Sequence, residues 1–214
     1  MGLAQPHPAY TAEEYLTLER QADERHQFVD GQIYAMAGET PAHSTICVNL
    51  GAILWNQLRG KPCRAYSPNM KIRSSPAEHN TLKGMFSYAD LSVVCGEPRF
   101  HDRHRDVLLN PSLIIEVLSP GTEAFDRGEK FLRYRGHLES LTDYILVSTR
   151  LPLVEHFQRQ PDGRWLYSAA EGLENELLIA SMDCRLPLAE VYERGEFAEA
   201  AEPGEAGDFA AERR

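Results

Sequence analysis

One acidic residue lies inside a short apolar stretch of this sequence. Residues 110–120 read Asn-Pro-Ser-Leu-Ile-Ile-Glu-Val-Leu-Ser-Pro, so Glu116 stands among five large aliphatic side chains. A short apolar run bounded by turn residues is typical of a strand that is buried on both faces. An ionised carboxylate in such a strand is costly unless it is paired. Glu116 is therefore either a strand-end residue satisfied by an arginine or by water, or a metal ligand or catalytic carboxylate.

A second carboxylate, Asp90, lies in the preceding apolar segment, Tyr-Ala-Asp-Leu-Ser-Val-Val-Cys at residues 88–95. If the two segments pair as strands, Asp90 and Glu116 can meet at one edge of a sheet. Two carboxylates suit Mg²⁺, which keeps several waters and takes one or two acidic ligands. Such an ion lowers the pKa of water and stabilises charge on a phosphate. The pair therefore predicts a Mg²⁺ site, with Mn²⁺ as a substitute.

The elements that must position these residues follow from local patterns. Apolar runs predict strands over residues 86–95 and 143–149 and a strand or hairpin arm over residues 63–73. Residues 96–111 are charged enough to indicate a solvated connection. Apolar spacings of three and four predict a helix over 41–58, capped by Thr40, and a second helix is expected over 123–136. Asp-Gly turns predict hairpins around residues 30–31 and 161–163. This order of elements indicates an α/β or α+β sheet with helices packed on it.

Composition narrows the function classes. The chain has 214 residues, 43% of them hydrophobic and 25% charged, and a net charge of −10. These fractions are ordinary for a globular protein. The acidic balance argues against tight, nonspecific duplex binding but is compatible with a metal site built from carboxylates. Residues 198–214 contain almost no large apolar side chains, so a disordered acidic tail is expected there.

The four cysteines, Cys47, Cys63, Cys95 and Cys184, form no C-x-x-C pair. This spacing favours reduced thiols in a cytoplasmic protein over a disulfide framework or a zinc site. No cationic segment followed by an apolar core begins the chain, and no apolar run approaches the ~20 residues that cross a bilayer. A cytoplasmic protein without a membrane partner is therefore expected.

Several segments, taken in order, resemble the Uma-two family of restriction-endonuclease-like domains within the PD-(D/E)XK nuclease superfamily. They are His-Gln-Phe-Val-Asp-Gly-Gln-Ile-Tyr-Ala-Met at 26–36, Pro-Ala-His at 41–43, Tyr-Ala-Asp-Leu-Ser-Val-Val at 88–94, Ile-Glu-Val-Leu-Ser-Pro at 115–120 and Asp-Arg-Gly-Glu-Lys at 126–130 with Tyr134. The resemblance covers roughly residues 11–197 and implies one nuclease-like domain at 1–197. It implies a mixed sheet flanked by helices, with N-terminal and C-terminal β-hairpin additions.

The resemblance also implies roles for individual residues. Asp90 matches the family's metal-binding Asp, and Glu116 matches the acidic residue of the D/E-X-K element. The lysine of that element is expected two positions later, where this chain has Leu118, and the family's displaced lysine matches Lys130. The alternative for Lys130 is a solvated surface lysine, the usual place of a lysine on a helix. His43, at the start of a helix that borders the site in this fold, is either a ligand or water-positioning group or a helix-end histidine satisfied locally. For Asp126 a structural role is favoured, since an acid in a first helical turn suits the helix dipole.

The function implied is Mg²⁺-dependent endonucleolytic hydrolysis of nucleic acid, with DNA as the expected substrate. Asp90 and Glu116 would hold the metal, and Lys130 would orient the attacking water or neutralise developing charge. Nucleases that cut both strands often dimerise, which makes a homodimer one expected assembly.

Two other classes of function stay open. Gln27 and Asn69 stand where many members of the family have Glu and Asp. The absence of these two carboxylates favours a catalytically weak nuclease fold used as a binding or regulatory module. The remaining alternative is a metal hydrolase that acts on a small phosphoester or nucleotide.

Overall fold

The computed structural model describes residues 9–36, 38–75 and 82–195, which form five helices and thirteen strands. The helices are α1 Ala12–Glu19, α2 Pro41–Leu58, α3 Glu123–Phe125, α4 Phe131–His137 and α5 Leu188–Val191, with a π-helical turn at Asp126–Lys130 and a 3₁₀ turn at Ala180–Met182. The strands are β1 His26–Val29, β2 Gln32–Ala35, β3 Cys63–Tyr66, β4 Lys71–Ser74, β5 Met85–Tyr88, β6 Leu91–Cys95, β7 Val107–Leu108, β8 Leu113–Val117, β9 Asp143–Val147, β10 Leu153–Arg159, β11 Trp165–Glu171, β12 Glu176–Ile179 and β13 Cys184–Pro187.

Two mixed sheets form the body of this structure. The six-stranded sheet has the order β11-β10-β9-β8-β6-β3, and only its central β8–β9 pair is parallel. The five-stranded sheet has the order β2-β1-β5-β4-β7, with β4 and β7 parallel, and β12 and β13 form a separate hairpin. The parallel pair needs a crossover, which the helical segment from α3 to α4 supplies.

The central strand β8 is buried on both faces, as its apolar sequence predicts. On one face, Ile115 and Val117 pack with residues of α2, the β12–β13 hairpin and α5. On the other face, Ile114 and Leu118 pack with Phe131 and other residues of the segment after β8. Because side chains alternate along a strand, Glu116 lies on this second face, towards α4.

Several local predictions are confirmed. Helix α2 has the predicted bounds, and the Thr40 side chain accepts a hydrogen bond from the His43 backbone at its N-terminus. The hairpins are present, and Asp30 and Gly31 both adopt the positive φ angles that a tight turn requires. The mixed sheet flanked by helices is present. The N-terminal hairpin, expected as an addition, is instead paired through β1 to β5 and so belongs to the five-stranded sheet.

Three predicted elements are wrong in their extent. Residues 86–95 are two strands of different sheets, β5 and β6, separated at Ala89 and Asp90. Residues 63–73 are likewise divided, with β3 in the six-stranded sheet and β4 in the other. The connection at 96–111 contains the buried strand β7, which pairs with β4. In each case the division depends on which sheet a strand joins, and local apolar patterns carry no such information.

The prediction of four reduced thiols is also wrong. Cys63 and Cys95 face each other in the antiparallel β3–β6 register with their Cα atoms 4.0 Å apart, and they form a disulfide. Cys47 and Cys184 are free. A pairing between cysteines 32 positions apart depends on sheet register, so the spacing along the chain does not reveal it. The cytoplasmic prediction loses the support that it drew from the thiols.

The predicted boundary between a domain at 1–197 and an acidic tail at 198–214 lies outside the described residues, so it stays a prediction. Within the described ranges, no helix has the length and apolar character needed to span a bilayer.

Candidate metal centre

Glu116 lies on β8 and is only 2% exposed. Its Oε2 forms an ion pair with Lys130 Nζ at 2.9 Å. Its Oε1 is buried and has no hydrogen-bond partner among the described residues. A buried acceptor left unpaired costs about 1–3 kcal/mol, more if it is charged. Oε1 is therefore the atom of this cluster that is best placed to accept a further ligand.

Lys130 is held in the interior by three oxygen atoms. Its ammonium lies 2.9 Å from Glu116 Oε2, 3.1 Å from Asp126 Oδ1 and 3.1 Å from the backbone oxygen of Tyr88. An ammonium has three donors, and these contacts use all of them. Lys130 is thus a buried, fixed cation beside Glu116 and not a solvated surface lysine.

The π-helical turn at Asp126–Lys130 brings Asp126 into the same cluster. Asp126 is 3% exposed, and its backbone oxygen accepts a hydrogen bond from the Tyr144 hydroxyl at 2.8 Å. The sequence favoured a structural role for Asp126, and its contact with Lys130 was not foreseen. The spacing of four residues between Asp126 and Lys130 is the signal that would have indicated it. Single π turns inside helices are frequent at functional sites.

Asp90 precedes β6, and the pairing of Leu91 with Ile115 places it beside the strand that carries Glu116. Its Oδ2 accepts a hydrogen bond from the Val117 backbone N–H at 2.7 Å. The same oxygen lies 3.3 Å from His43 Nε2. The fold therefore brings all four site residues predicted from the sequence, His43, Asp90, Glu116 and Lys130, into one region.

His43 lies in the first turn of α2 and is 8% exposed. Besides the contact with Asp90, its Nδ1 lies 3.6 Å from Cys47 Sγ and 3.8 Å from Glu39 Oε2. Burial opposes protonation of the ring, but the hydrogen bond and charge of Asp90, together with the charge of Glu39, raise the His43 pKa above its ordinary value. The imidazole thus lies between the carboxylates of Asp90 and Glu39, which favour its protonated form.

The electrostatics of the cluster favour a cation. Burial raises the pKa of Glu116 well above its ordinary value, Lys130 opposes this shift, and the charges of Asp126 and Asp90 add to it. Burial disfavours the charged form of Lys130, but its neighbours outweigh burial and raise the Lys130 pKa well above its ordinary value. The largest of these contributions comes from the carboxylate of Glu116. Glu116 and Asp126 thus share one buried ammonium, with the charge of Asp90 acting on Glu116, and a divalent ion would favour the ionised form of Glu116.

An open cavity of about 530 Å³ gives access to the cluster. Its lining includes all four predicted site residues together with Asp126, Glu39 and Arg25. Gln27, one of the two departures from the family pattern, also lines the cavity. The site is therefore a solvent-connected pocket with buried carboxylates in its wall, large enough for a phosphate group and its neighbours.

The fold matches that of a solved structure, described as "a putative nuclease belonging to DUF820 from Anabaena variabilis ATCC 29413". The two structures superpose with a TM-score of 0.67 over 86% of this chain and 97% of that chain, at 15% sequence identity. This likeness concerns the architecture, and it defines the protein as one with a nuclease-like fold.

Residues 12–188 match the Uma2 family, described as "Putative restriction endonuclease". The chain belongs to this family, which confirms the resemblance seen in the sequence. Two relatives from Synechocystis sp. are similar over most of the chain. "Uncharacterized protein slr1290" is 39% identical over 173 residues, covering 79% of this chain and 86% of the relative. "Uncharacterized protein sll1609" is 32% identical over 172 residues, covering 80% and 93%.

Proposed function

We propose that this protein is a Mg²⁺-dependent endonuclease that hydrolyses phosphodiester bonds of nucleic acid, with DNA as the substrate. The observation that carries the proposal is the buried, unpartnered Oε1 of Glu116 in the wall of an open cavity, beside Asp90 and Lys130. Family membership supports the same class of reaction.

The oxygen donors of the cluster fit a divalent ion. Glu116 Oε1 and the carboxylate of Asp90 would hold Mg²⁺, which prefers oxygen ligands and retains several waters. Bound there, Mg²⁺ would stabilise charge on a phosphate and lower the pKa of a water molecule. Glu116 must be ionised to serve as a ligand, and the adjacent ammonium of Lys130 favours that form.

Lys130 supplies the fixed positive charge. Because its three donors are already held by protein oxygens, the ammonium needs no reorganisation to stabilise negative charge that develops on a phosphate near Glu116. His43 Nε2 contacts Asp90 Oδ2, the oxygen that also accepts the Val117 N–H, and thereby orients the carboxylate. In this proposal Asp90 and Glu116 bind the ion, Lys130 stabilises the transition state, and His43 positions Asp90.

The first experiment is a calorimetric titration of the purified full-length chain with Mn²⁺. Asp90→Asn and Glu116→Gln should each weaken binding by about 100-fold or more, since loss of even a supporting partner costs 10–100-fold. Both variants should remain folded by circular dichroism, because each keeps the shape of its side chain. Cleavage of plasmid, oligonucleotide DNA, RNA and a mononucleotide would then define the substrate, and linearisation of plasmid as against nicking would report concerted cutting by two copies.

Glu155 provides a matched control. It is a buried glutamate on β10, in one row with Glu116, because Leu146 of the intervening strand pairs with both residues. Its carboxylate forms an ion pair with Arg127. Glu155→Gln should leave Mn²⁺ affinity unchanged. Equal loss in Glu155→Gln, or cleavage that survives Asp90→Asn, would refute the assignment.

The presence of Gln27 in the cavity wall favours one alternative, a nuclease fold that binds nucleic acid without cutting it. An amide at this position supplies no charge for a second ion. This alternative gives Mn²⁺ binding and nucleic-acid binding that both depend on Asp90, with no cleavage of any substrate.

A further inference from the structure

Next to the proposed Mg²⁺ ligands lies a second set of donor atoms with different chemistry. One ligand atom each from His43, Cys47 and Asp90 can be chosen so that all lie within 4.8 Å of one another. The set contains a nitrogen, a sulfur and an oxygen. Among the metals common in proteins, Mg²⁺ takes oxygen ligands, whereas Zn²⁺ takes thiolate, imidazole and carboxylate together.

Helix α2 creates this arrangement. His43 and Cys47 are four residues apart and so lie one above the other on the same face of the helix. The measured separations are 3.6 Å between Cys47 Sγ and His43 Nδ1, and 3.3 Å between His43 Nε2 and Asp90 Oδ2. These two distances end on different ring nitrogens of His43, and an ion takes only one of them. With one donor atom per residue the three donors lie within 4.8 Å of one another. A tetrahedral ion with ligand distances of about 2.0–2.3 Å needs donors roughly 3.3–3.8 Å apart, so the side chains must rotate towards one another to bind it.

We propose that His43, Cys47 and Asp90 form a binding site for Zn²⁺, and that Zn²⁺ there excludes Mg²⁺ by capturing Asp90. The site stands on its own geometry, and its inhibitory effect rests on the proposed nuclease function. Binding replaces the thiol proton of Cys47, which is released to solvent, and a water molecule or the nearby carboxylate of Glu39 completes the coordination.

The surroundings of Cys47 favour a metal over a free thiolate. Burial, followed by the charges of Asp90, Glu39 and Glu116, raises the pKa of the Cys47 thiol well above its ordinary value. The same negative charges attract a divalent cation, whose binding compensates for the loss of the proton.

Titration with Co²⁺ tests the site directly, because cobalt bound to a thiolate shows a charge-transfer band in the near ultraviolet. The full-length protein is used without reductant, so that Cys63 and Cys95 stay in their disulfide. The parent should show the band, and Zn²⁺ should displace it. Cys47→Ser should remove the band and weaken Zn²⁺ binding by about 100-fold or more, because loss of a ligand should cost at least as much as the 10–100-fold that loss of a supporting partner costs.

The other free cysteine, Cys184, is the matched control, since Cys184→Ser should behave as the parent. Asp90→Asn gives an independent check that leaves the thiol in place: the band should remain at high Co²⁺, with weaker affinity. No band in the parent, a band that persists in Cys47→Ser, or a band lost in Cys184→Ser would each overturn the zinc site.

The inhibitory effect has its own readout. Zn²⁺ should raise the Mg²⁺ concentration needed for half-maximal cleavage in the parent by tenfold or more, and this shift should disappear in Cys47→Ser. A parent that shows the cobalt band but never cleaves refutes the nuclease proposal and leaves the zinc site intact. Cleavage that ignores Zn²⁺ while the band is present refutes only the competition for Asp90.

Discussion

Two acidic residues on neighbouring strands of the six-stranded sheet, Glu116 on β8 and Asp143 on β9, are both buried. Because these strands are parallel and Glu116 pairs with Leu146, Asp143 lies three residues, about 10 Å, along β9 from the position opposite Glu116. The odd spacing places the Asp143 side chain on the other face of the sheet. Asp143 is fully buried. Its Oδ1 contacts His156 Nε2 at 2.7 Å, and its Oδ2 accepts hydrogen bonds from Thr142 and Ser181 at 2.6 and 2.5 Å.

These two residues differ in how many of their carboxylate oxygens have a protein partner. Both oxygens of Asp143 have protein partners, whereas Oε1 of Glu116 has none among the described residues and belongs to the wall of a cavity. Burial alone therefore does not distinguish a structural carboxylate from a functional one. The distinction lies in whether the fold satisfies every oxygen, since an unsatisfied buried acceptor is tolerated where a ligand can bind.

The largest expected effect on stability comes from the satisfied residue. Asp143→Ala should lower the free energy of unfolding by about 3–5 kcal/mol, because it leaves buried polar partners of a hydrogen-bonded network without an acceptor. Urea denaturation measures the loss. Where the variant remains folded, its Mn²⁺ affinity should equal that of the parent. A loss below about 1 kcal/mol, or a loss of Mn²⁺ binding by folded protein, would erase the proposed difference between the two regions.

The next effect concerns the cation that Glu116 shares. Lys130→Met should lower cleavage by about 10²-fold or more, the scale of removing one partner of transition-state charge. Mn²⁺ affinity should change by only about a few-fold, because the substitution removes both a competitor for Glu116 Oε2 and the charge that favours the ionised carboxylate. Lys130→Arg should not restore the rate, since a planar fork does not reproduce a point charge. Single-turnover kinetics at saturating Mn²⁺ measure the effect.

Lys61 is the control for that substitution. It follows the C-terminal end of α2, whereas His43 is at the N-terminal end, and it donates hydrogen bonds to the backbone oxygens of Met182 and Asp183. Lys61→Met removes the same charge from the same acidic protein and should cleave at the parental rate. If Lys61→Met and Lys130→Met slow cleavage equally, the effect is one of net charge, and the mechanism assigned to Lys130 is wrong.

The sequence predicted the elements whose signals are local. The bounds of α2 and both tight hairpins follow from apolar periodicity, a cap and Asp-Gly turns. It did not predict that the chain changes sheets at Ala89 and Asp90, or that Cys63 meets Cys95, because both depend on pairing between distant segments. The π turn at Asp126–Lys130 was also missed, since one extra residue in a helical turn leaves no mark on the apolar pattern.

The candidate site divides in the same way. Glu116 stood out as a charge inside a buried strand, whereas the roles given to Lys130 and His43 came from resemblance to a family. The contact of Asp126 with Lys130 and that of Cys47 with His43 both involve residues four apart on a helix. The sequence shows both spacings, but such spacings are common in helices that have no function. The two contacts become informative only because the structure places Asp126, Lys130 and His43 in the cavity wall.

A third carboxylate, Asp106, has partners for both oxygens, as Asp143 does, but it is partly exposed to solvent. Its two oxygens contact Arg20 at 2.8 and 3.0 Å, and Oδ2 also lies 3.1 Å from Lys71 Nζ, while its side chain is 27% exposed. All its oxygens are satisfied, as in Asp143, but solvent can replace part of what is lost. Asp106→Asn should therefore lower the free energy of unfolding by only about 1–2 kcal/mol at neutral pH, between the values for exposed pairs and for hydrogen-bonded buried charges.

The stability that Asp106 contributes should depend on pH in a defined direction. Burial tends to raise the pKa of Asp106, but the hydrogen bonds and charges of Arg20 and Lys71 outweigh it and hold the pKa well below the usual range. A depressed pKa in the folded state contributes stability that is present above the ordinary pKa of Asp and is lost as the pH falls through the folded value. The difference in unfolding free energy between parent and Asp106→Asn should thus be constant near neutral pH and shrink below the ordinary Asp range, as urea denaturation at several pH values would show. A difference that grows on acidification would mean that Asp106 is not held ionised by its two cations, and that it resembles Glu116 more than Asp143.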